Sequence, residues 1–265
     1  MDEKIGIIAG EGKLPELILE ELNKRGKLIY SVILKGYGSS ALKKFSTVSK
    51  EYKIGEVGKI LKFFKSNGIK SIIMAGKVEH VNIFRDLGAD AKAFGLLKRL
   101  KEKNTLSIYS IIKDFLEENH INLLDYNEIL KEHIPQKGVL SGKLKKELEE
   151  DLKRGFGIAK KIAELDVGQS IAYKDGVVVG VEAIEGTDAM IERVGNLTDN
   201  FFLIKVSNPH QSMSFDMPVI GINTLEKVFK AKGRGVVIEA SKTIVLDLKE
   251  CIEYAKRQKI ILVAL

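Results

Sequence analysis

A single cysteine, Cys251, stands in the whole sequence, and tryptophan is absent. One thiol excludes an internal disulfide and a cysteine-built metal cluster. Its setting, KECIEYAKR, reads as a helix with the thiol packed in the core. Proline occurs only 4 times and glycine 24 times, which argues against a disordered chain. No run approaches the ~18 consecutive apolar residues of a spanning helix. The opening MDEKIGIIAG starts with acids and runs straight into a strand pattern, unlike a signal peptide. Aromatics make up 7%, and no recognition helix, zinc finger or base-stacking motif is present, so nucleic acid is not an expected partner. The four histidines are scattered, with no HxH or HExxH spacing for zinc. There is no GxSxG elbow.

What is present is a chain of 265 residues, 45% hydrophobic and 30% charged, enough for a real core divided over two domains. The formal charge of +7 favours phosphorylated ligands or an anionic lipid surface. Most lysines alternate with glutamates, as in LKKELEEDLKRG, the pattern of a solvated helix face.

The first half alternates strand and helix. Ile5 to Ala9 reads as a buried strand, Leu14 to Arg25 as a helix, and Leu28 to Leu34 as a second strand. A helix within Ile54 to Asn67 precedes a third strand, Ile69 to Ala75. Helices follow over Phe84 to Leu100 and Ser107 to Glu118, then a short strand, Ile121 to Leu124. This order predicts an α/β fold with a doubly wound, mainly parallel sheet, a Rossmann-like domain over residues 1–133. A Pro- and Gly-bearing stretch at 132–146 marks the break. Residues 134–265 predict a second α/β domain with a mixed sheet. It opens with a helix over Lys146 to Leu165. Its strands are Gln169 to Tyr173, Val177 to Glu182, Phe201 to Ser207, Gly235 to Glu239, Thr243 to Leu246 and Ile260 to Val263. Its later helices are Gly186 to Val194, Thr224 to Lys232 and Lys249 to Gln258. Lys174-Asp175-Gly176 signals a tight hairpin.

Four segments could carry chemistry. Gly10-Glu11-Gly12-Lys13-Leu14-Pro15 follows the first strand. Its glycines permit close approach of a phosphate, and the first helical turn offers amides, though a plain βα turn has the same composition. The segment is neither Walker A nor a full dinucleotide fingerprint. AGKVEH, residues 75–80, puts Lys77 at the carboxyl end of the third strand, where ligands bind in open α/β sheets, with His80 nearby. Gly168-Gln169-Ser170 precedes the strand that pairs into VVVGVEAIEGTDAMIER. There Glu182, Glu185 and Asp188 put three acids within seven residues at the mouth of an apolar strand. Thr187 or Asp188 could cap the following helix, and Arg193 could pair with an acid or a phosphate. Finally, SNPHQSMSFDMPVIG, residues 207–221, mixes His210, Gln211 and Asp216 with apolar neighbours, an unusual composition for an exposed loop. A carboxylate-rich, cysteine-poor site favours hard Mg2+ or Mn2+.

Taken in order, IIAGEGKLP at 7–15, AGKV at 75–78, GVL at 138–140, DVGQS at 166–170, VEAIEGTDAMIER at 181–193 and DMPVIG at 216–221 followed by Thr224 resemble the UDP-2,3-diacylglucosamine pyrophosphatase family of the LpxI type. The resemblance runs over nearly the whole chain. It implies two α/β domains enclosing a nucleotide-lipid, and metal-dependent hydrolysis of a diphosphate to UMP and 2,3-diacylglucosamine 1-phosphate in lipid A biosynthesis. It also implies work at the cytoplasmic side of the inner membrane, in surface contact with it, and leaves homo-oligomerisation open. Carried over residue by residue, Asp216, Glu185, Asp188 and Lys77 are the expected catalytic groups. Gly10, Gly12, Lys13, Thr187, Gln211 and Arg193 face the substrate. Asp216, Glu182, Glu185 and Asp188 hold Mg2+ or Mn2+.

The sequence departs from the family pattern at two places. A late motif of the form Gln-Asp-x-Arg-x-Asp-x-Pro keeps Gln211, Asp216 and Pro218 here, but has Ser212 for the acid and Ser214 for the arginine. An acidic pair near 105 appears as Asn104-Thr105. Serine supplies neither the charge nor the planar fork with which arginine clamps a diphosphate. The departures therefore keep a second reading open: a nucleotide-sugar or phospholipid-binding protein without turnover.

Overall fold

A computed structural model describes residues 4–78, 91–99, 105–209 and 217–265. The chain divides into two compact units, Met1–Ile129 and Leu130–Leu265.

In the first unit the elements run β1 (Lys4–Ala9), α1 (Leu14–Lys24), β2 (Leu28–Leu34), β3 (Val48–Tyr52), α2 (Val57–Ser66), β4 (Ser71–Ala75), α3 (Ala91–Arg99), α4 (Thr105–Glu118) and β5 (Asn122–Leu123). The strands form one parallel sheet in the order β3-β2-β1-β4-β5. The chain builds outward from β1 through β2 to β3, then returns to β1's other side with β4, the doubly wound pattern expected. Strand β1 is central: Ile5, Ile7 and Ala9 are fully buried, so an apolar run rather than an alternating one encodes it. Helix α1 buries Leu17, Ile18 and Leu22, one face at helical spacing. Pro15 sits in its first turn, where the missing N–H has no intrahelical acceptor to lose.

The second unit runs β6 (Gly138–Ser141), α5 (Lys146–Glu164), β7 (Ser170–Lys174), β8 (Val177–Val181), α6 (Gly186–Gly195), β9 (Phe202–Lys205), β10 (Val219–Ile220), α7 (Ile222–Lys230), β11 (Gly235–Ile238), β12 (Ile244–Val245), α8 (Leu248–Gln258) and β13 (Ile261–Ala264). Six strands form a mixed sheet in the order β6-β13-β11-β9-β7-β8, and β10 pairs separately with β12. Strands β9, β11 and β13 are mutually parallel, while β6 and β7 run against their neighbours. Since β8 is antiparallel to β7, it points the same way as β9. The sheet is covered on both faces. Phe202 and Ile204 pack with Leu152, Ala159 and Ala163 of α5, whereas Leu203 packs with Met190, Ile191 and Val194 of α6. Successive side chains point to opposite faces, and burying each is worth about 1.5–3 kcal/mol. Asp175 and Gly176, both at positive φ, make the predicted hairpin turn between β7 and β8. Cys251 is buried in α8, its thiol donating to the Leu246 carbonyl at 3.2 Å.

Three strands were not expected from the sequence: β3, β6 and β10. The first two lie at sheet edges, where VSKEY and GVLS carry polar or exposed positions (Val139 is 47% exposed) and pairing rather than apolar pattern fixes the strand. The third is two residues long. Of the helix expected over 84–100, Ala91–Arg99 is described and helical. Among the described residues, no helix is long and apolar enough to cross a membrane.

Candidate functional site

In the first unit, the strand order reverses between β1 and β4. Two glycine turns meet there. The Gly10 amide donates to the Ala75 carbonyl at 2.8 Å, the Glu11 amide to Lys77 O at 2.9 Å, and the Lys77 amide back to Glu11 O at 2.8 Å. A Cβ on Gly10 would stand 2.7 Å from Lys77 O, and one on Gly76, at φ +96°, would stand 2.7 Å from the Gly10 carbonyl carbon. These two glycines are therefore required by the contact between the turns. Gly12, at φ +103°, has open space around it. Lys13 and Lys77 are both exposed beside this junction, so the fold brings Gly10, Gly12, Lys13 and Lys77 together at one sheet edge. The amides of Gly10 and Glu11 are already bonded to the neighbouring turn, which leaves the first turn of α1 as the part of the loop suited to an anion.

In the second unit, the acidic segment 182–188 leaves the carboxyl end of β8 and enters α6. Thr187 does not cap that helix. Its hydroxyl donates to Glu182 Oε1 at 2.8 Å and accepts from Lys205 Nζ at 2.7 Å, with Ser170 Oγ at 3.4 Å. The N-cap position is Glu185, without a side-chain cap bond, so neither Thr187 nor Asp188 has the capping role the sequence allowed. Lys205 closes β9 and is 9% exposed; Ser170 opens the antiparallel β7 opposite it. Glu182 Oε2 is buried without a hydrogen-bond partner, and the Lys205 ammonium stands 4.0 Å away. Gly168 lies against the Glu182 carbonyl, closer than any Cβ could approach, which accounts for the glycine in DVGQS.

The other two acids of the segment look elsewhere. Glu185 Oε1 accepts from Arg193 at 2.7 Å, and Arg193 also donates to the Val181 carbonyl at 3.1 Å, so the pair braces the turn onto α6. The Arg193 hydrogen bond, helped by backbone amides, holds the Glu185 carboxyl below its ordinary pKa. Asp188 lies 3.6 Å from Lys227, which pairs more closely with Glu192 at 2.7 Å. Glu185 and Asp188 thus do not converge with Glu182 on one cation, and among the described residues no group of three or more metal-ligating side chains is assembled. The metal set expected from the sequence is Asp216 with Glu182, Glu185 and Asp188; Asp216 lies outside the described residues, and the three acids of this segment form no metal-ligating group by themselves. Two of its acids are engaged by cationic side chains. Glu182 alone has the feature of a ligand held ready, a buried oxygen without a partner. Asp216 and Gln211, with His210 and His80, lie outside the described residues.

Residues that the sequence reading missed complete this edge. Glu239, just after β11, accepts from Lys160 at 3.0 Å and from both the amide and the hydroxyl of Ser207, at 2.8 and 2.9 Å. Burial pushes its pKa upward, but the bonds from Lys160 and Ser207 outweigh that and leave it below its ordinary value. Lys205 and Glu239 each end or follow an apolar strand, in FFLIK and VVIE, and a charge in that place was the signal available.

Comparison with known proteins agrees along the whole length. The profile described as the LpxI N-terminal domain matches residues 4–133, and that of the LpxI C-terminal domain matches 136–263. A curated relative from Caulobacter vibrioides, UDP-2,3-diacylglucosamine pyrophosphatase LpxI, is 29% identical over 266 residues, covering 95% of this chain and 94% of its own. Solved structures are more distant. A GalE-like L-threonine dehydrogenase from Cupriavidus necator shares 12% identity over 44% of this chain and 34% of its own, with a TM-score of 0.29. A biotin carboxylase from Campylobacter jejuni shares 11% over 73% and 41%, with a TM-score of 0.30. The chain spans less than half the length of either, and likeness at that level carries no argument. With one profile on each half and a relative matched nearly end to end, the chain belongs to the LpxI family.

Proposed function

We propose that this protein hydrolyses the diphosphate of UDP-2,3-diacylglucosamine, giving UMP and 2,3-diacylglucosamine 1-phosphate, a step of lipid A biosynthesis. Family membership supports pyrophosphatase-type hydrolysis in general. The observation that carries the reading is the Glu182–Thr187–Lys205 network inside the segment VEAIEGTDAM, at the carboxyl edge of a sheet. A core position does not require a buried carboxylate oxygen without a partner beside a buried ammonium, and such groups are costly unless a ligand uses them.

In this reading Lys205 and Thr187 fix the Glu182 carboxylate, so that its unbonded oxygen faces the reacting group in a set orientation. Mg2+ or Mn2+ would be held by Glu182 together with Asp216. When bound there, the ion would supply positive charge at a phosphoryl oxygen, where charge develops in the transition state. Arg193 and Glu185 keep the turn in place. In the first unit, taken by itself, the exposed Lys77, Lys13 and the first turn of α1 would suit a phosphate group, with Gly10 and Gly76 providing the close packing of the two turns. The acylated sugar would be met at the cytoplasmic face of the inner membrane.

A binding protein without turnover is the second reading, favoured by Ser212 and Ser214 in place of an acid and an arginine. Release of UMP from UDP-2,3-diacylglucosamine, with and without magnesium, separates the two. Wild-type protein should release UMP, and Asp216→Asn should reduce the rate at least about 100-fold, the size of effect seen when one transition-state contact is removed. Tight binding of the substrate with no UMP formed at any magnesium concentration would leave the second reading standing.

A further inference from the structure

The carboxyl edge of the six-stranded sheet carries a row of charged groups held side by side by the backbone. The Glu182 amide donates to Ser170 O at 2.9 Å, Ser170 is in register with Lys205, and the Glu239 amide donates to Lys205 O at 3.2 Å. Among the described residues, three ammonium groups on this row, Lys160, Lys205 and Lys242, meet two carboxylates, Glu182 and Glu239. The two carboxylates are not equivalent. Glu239 is bonded by Lys160 and by the Ser207 amide and hydroxyl, with Lys242 at 3.3 Å. Among the described residues the Glu182 carboxylate accepts a hydrogen bond from Thr187 alone, with 4.0 Å between Oε2 and Lys205.

That 4.0 Å exceeds hydrogen-bond length, so Glu182 does not use up the donors of Lys205. An ammonium has three N–H donors. One is directed at Thr187 Oγ1 at 2.7 Å, and the other two have no acceptor among the described residues. Lysine is almost never buried to this extent without full pairing, and a buried unsatisfied donor costs free energy. The chemistry that would satisfy it is anionic, acceptor-only and compact, which describes a phosphate oxygen. The second residue of α6, Thr187, holds the ammonium, so the positive end of that helix lies at the same place.

We propose that Lys205 is a catalytic residue that donates directly to a phosphate oxygen of the ligand, held for that contact by the Thr187 hydroxyl. The proposal rests on the reading of this edge as a diphosphate site. The competing account makes Lys205 only the counter-charge that lets Glu182 be buried.

The double variant Glu182→Gln/Lys205→Met separates these accounts. It removes both charges together and so leaves no buried carboxylate unpaired. Inorganic pyrophosphate binding, measured by titration calorimetry in EDTA, should be about 10- to 100-fold weaker in the double variant than in wild type, the loss expected for one charged hydrogen-bond partner. Equal affinity in the two proteins, or no pyrophosphate binding by wild type, overturns the proposal. Should the double variant fail to fold, amine acetylation of the wild-type protein followed by peptide mass spectrometry gives the answer. Pyrophosphate should protect Lys205 and leave Lys227 as an unchanged reference; unprotected Lys205 again overturns it. Release of UMP is scored separately. Lys205-dependent pyrophosphate binding without UMP release by wild type keeps this proposal and removes the hydrolase reading, whereas UMP release by wild type with equal pyrophosphate affinity in the two proteins does the reverse.

Discussion

Thr187 Oγ1 accepts a 2.7 Å hydrogen bond from Lys205 Nζ, across 18 positions of sequence. The hydroxyl is thereby turned so that its own proton goes to Glu182 Oε1. A single side chain thus orients a part-buried carboxylate and a buried ammonium, with opposite demands met by one O–H group. Replacing Thr187 by valine keeps the shape and deletes both bonds. Thr187→Val should lose about 1–3 kcal/mol in urea unfolding, because the buried Lys205 ammonium and the part-buried Glu182 carboxylate both lose a bond. Thr187→Ser should recover most of it. Equal stability of the valine and serine variants would refute the bridging role.

The Glu239 cluster gives a pH dependence whose sign can be worked out. Its folded pKa lies below the ordinary 4.5, since the bonds from Lys160 and Ser207 overcome the upward push of burial. A carboxylate lowered in this way stabilises the fold above its unfolded pKa, and that contribution is lost as pH falls through the folded value. Unfolding free energy measured from pH 7 down to pH 3 should therefore drop below about pH 4.5. Glu239→Gln should be less stable than wild type at pH 7 by about 1–3 kcal/mol, and its curve should fall less steeply on acidification. Parallel curves for the two proteins would show that Glu239 is not the group responsible.

Much of this arrangement could be read in the sequence, because buried strands in doubly covered sheets are encoded by apolar runs. Ile5–Ala9 and Leu28–Leu34 carry that signal, and VVVGV, though an edge strand with only Gly180 buried, was legible from its β-branched run. The segment 182–188 was legible as a cluster because it follows that run directly. Its internal wiring was not. The sequence allowed Arg193, on the same helix, to pair with an acid, and it takes Glu185, but the partner of Asp188, Lys227, is set by tertiary packing of α6 against α7. Lys205 is 18 residues from Thr187, and Lys160 is 79 from Glu239. Contacts at such separations follow from strand order, which local pattern does not encode. Edge strands β3 and β6 stayed hidden because half of their surface is in solvent, so polar residues serve there as well as apolar ones.

Two glycines of α5 should respond to alanine with opposite signs. Alanine is favoured over glycine in a helix by about 1 kcal/mol. At Gly157 nothing lies within 4 Å of the added Cβ, so Gly157→Ala should raise stability by up to about that amount. At Gly155 the Cβ would come within 2.7 Å of Ile204 Cδ1 and 2.9 Å of the Tyr173 ring, in the core beneath α5. Overpacking there costs about 1–3 kcal/mol and exceeds the propensity gain, so Gly155→Ala should be destabilising overall. Thermal unfolding of the two variants tests this directly. A stabilised Gly155→Ala would mean that α5 does not seat on β7 and β9 at this distance.

Gly168 offers the sharpest link between backbone packing and the site. Its added Cβ would overlap the Glu182 carbonyl, a backbone atom that cannot rotate away as a side-chain tip can. Relief requires the 166–170 strand entry or the end of β8 to move. Both flank the network: Ser170 is the neighbour of Thr187 at 3.4 Å, and the Glu182 amide is bonded to Ser170 O at 2.9 Å. Gly168→Ala should therefore lose about 1–3 kcal/mol of stability. It should also impair pyrophosphate binding by more than Gly155→Ala does, although both glycines lie against the same sheet, because only Gly168 touches the residue that carries the carboxylate. If the two variants lose binding in proportion to their lost stability, the displacement of Glu182 is not what limits the site. A loss of binding in Gly168→Ala beyond that proportion locates the sensitivity in the aim of Glu182 relative to Lys205, where a shift of a few tenths of an ångström changes which atoms lie within hydrogen-bond reach.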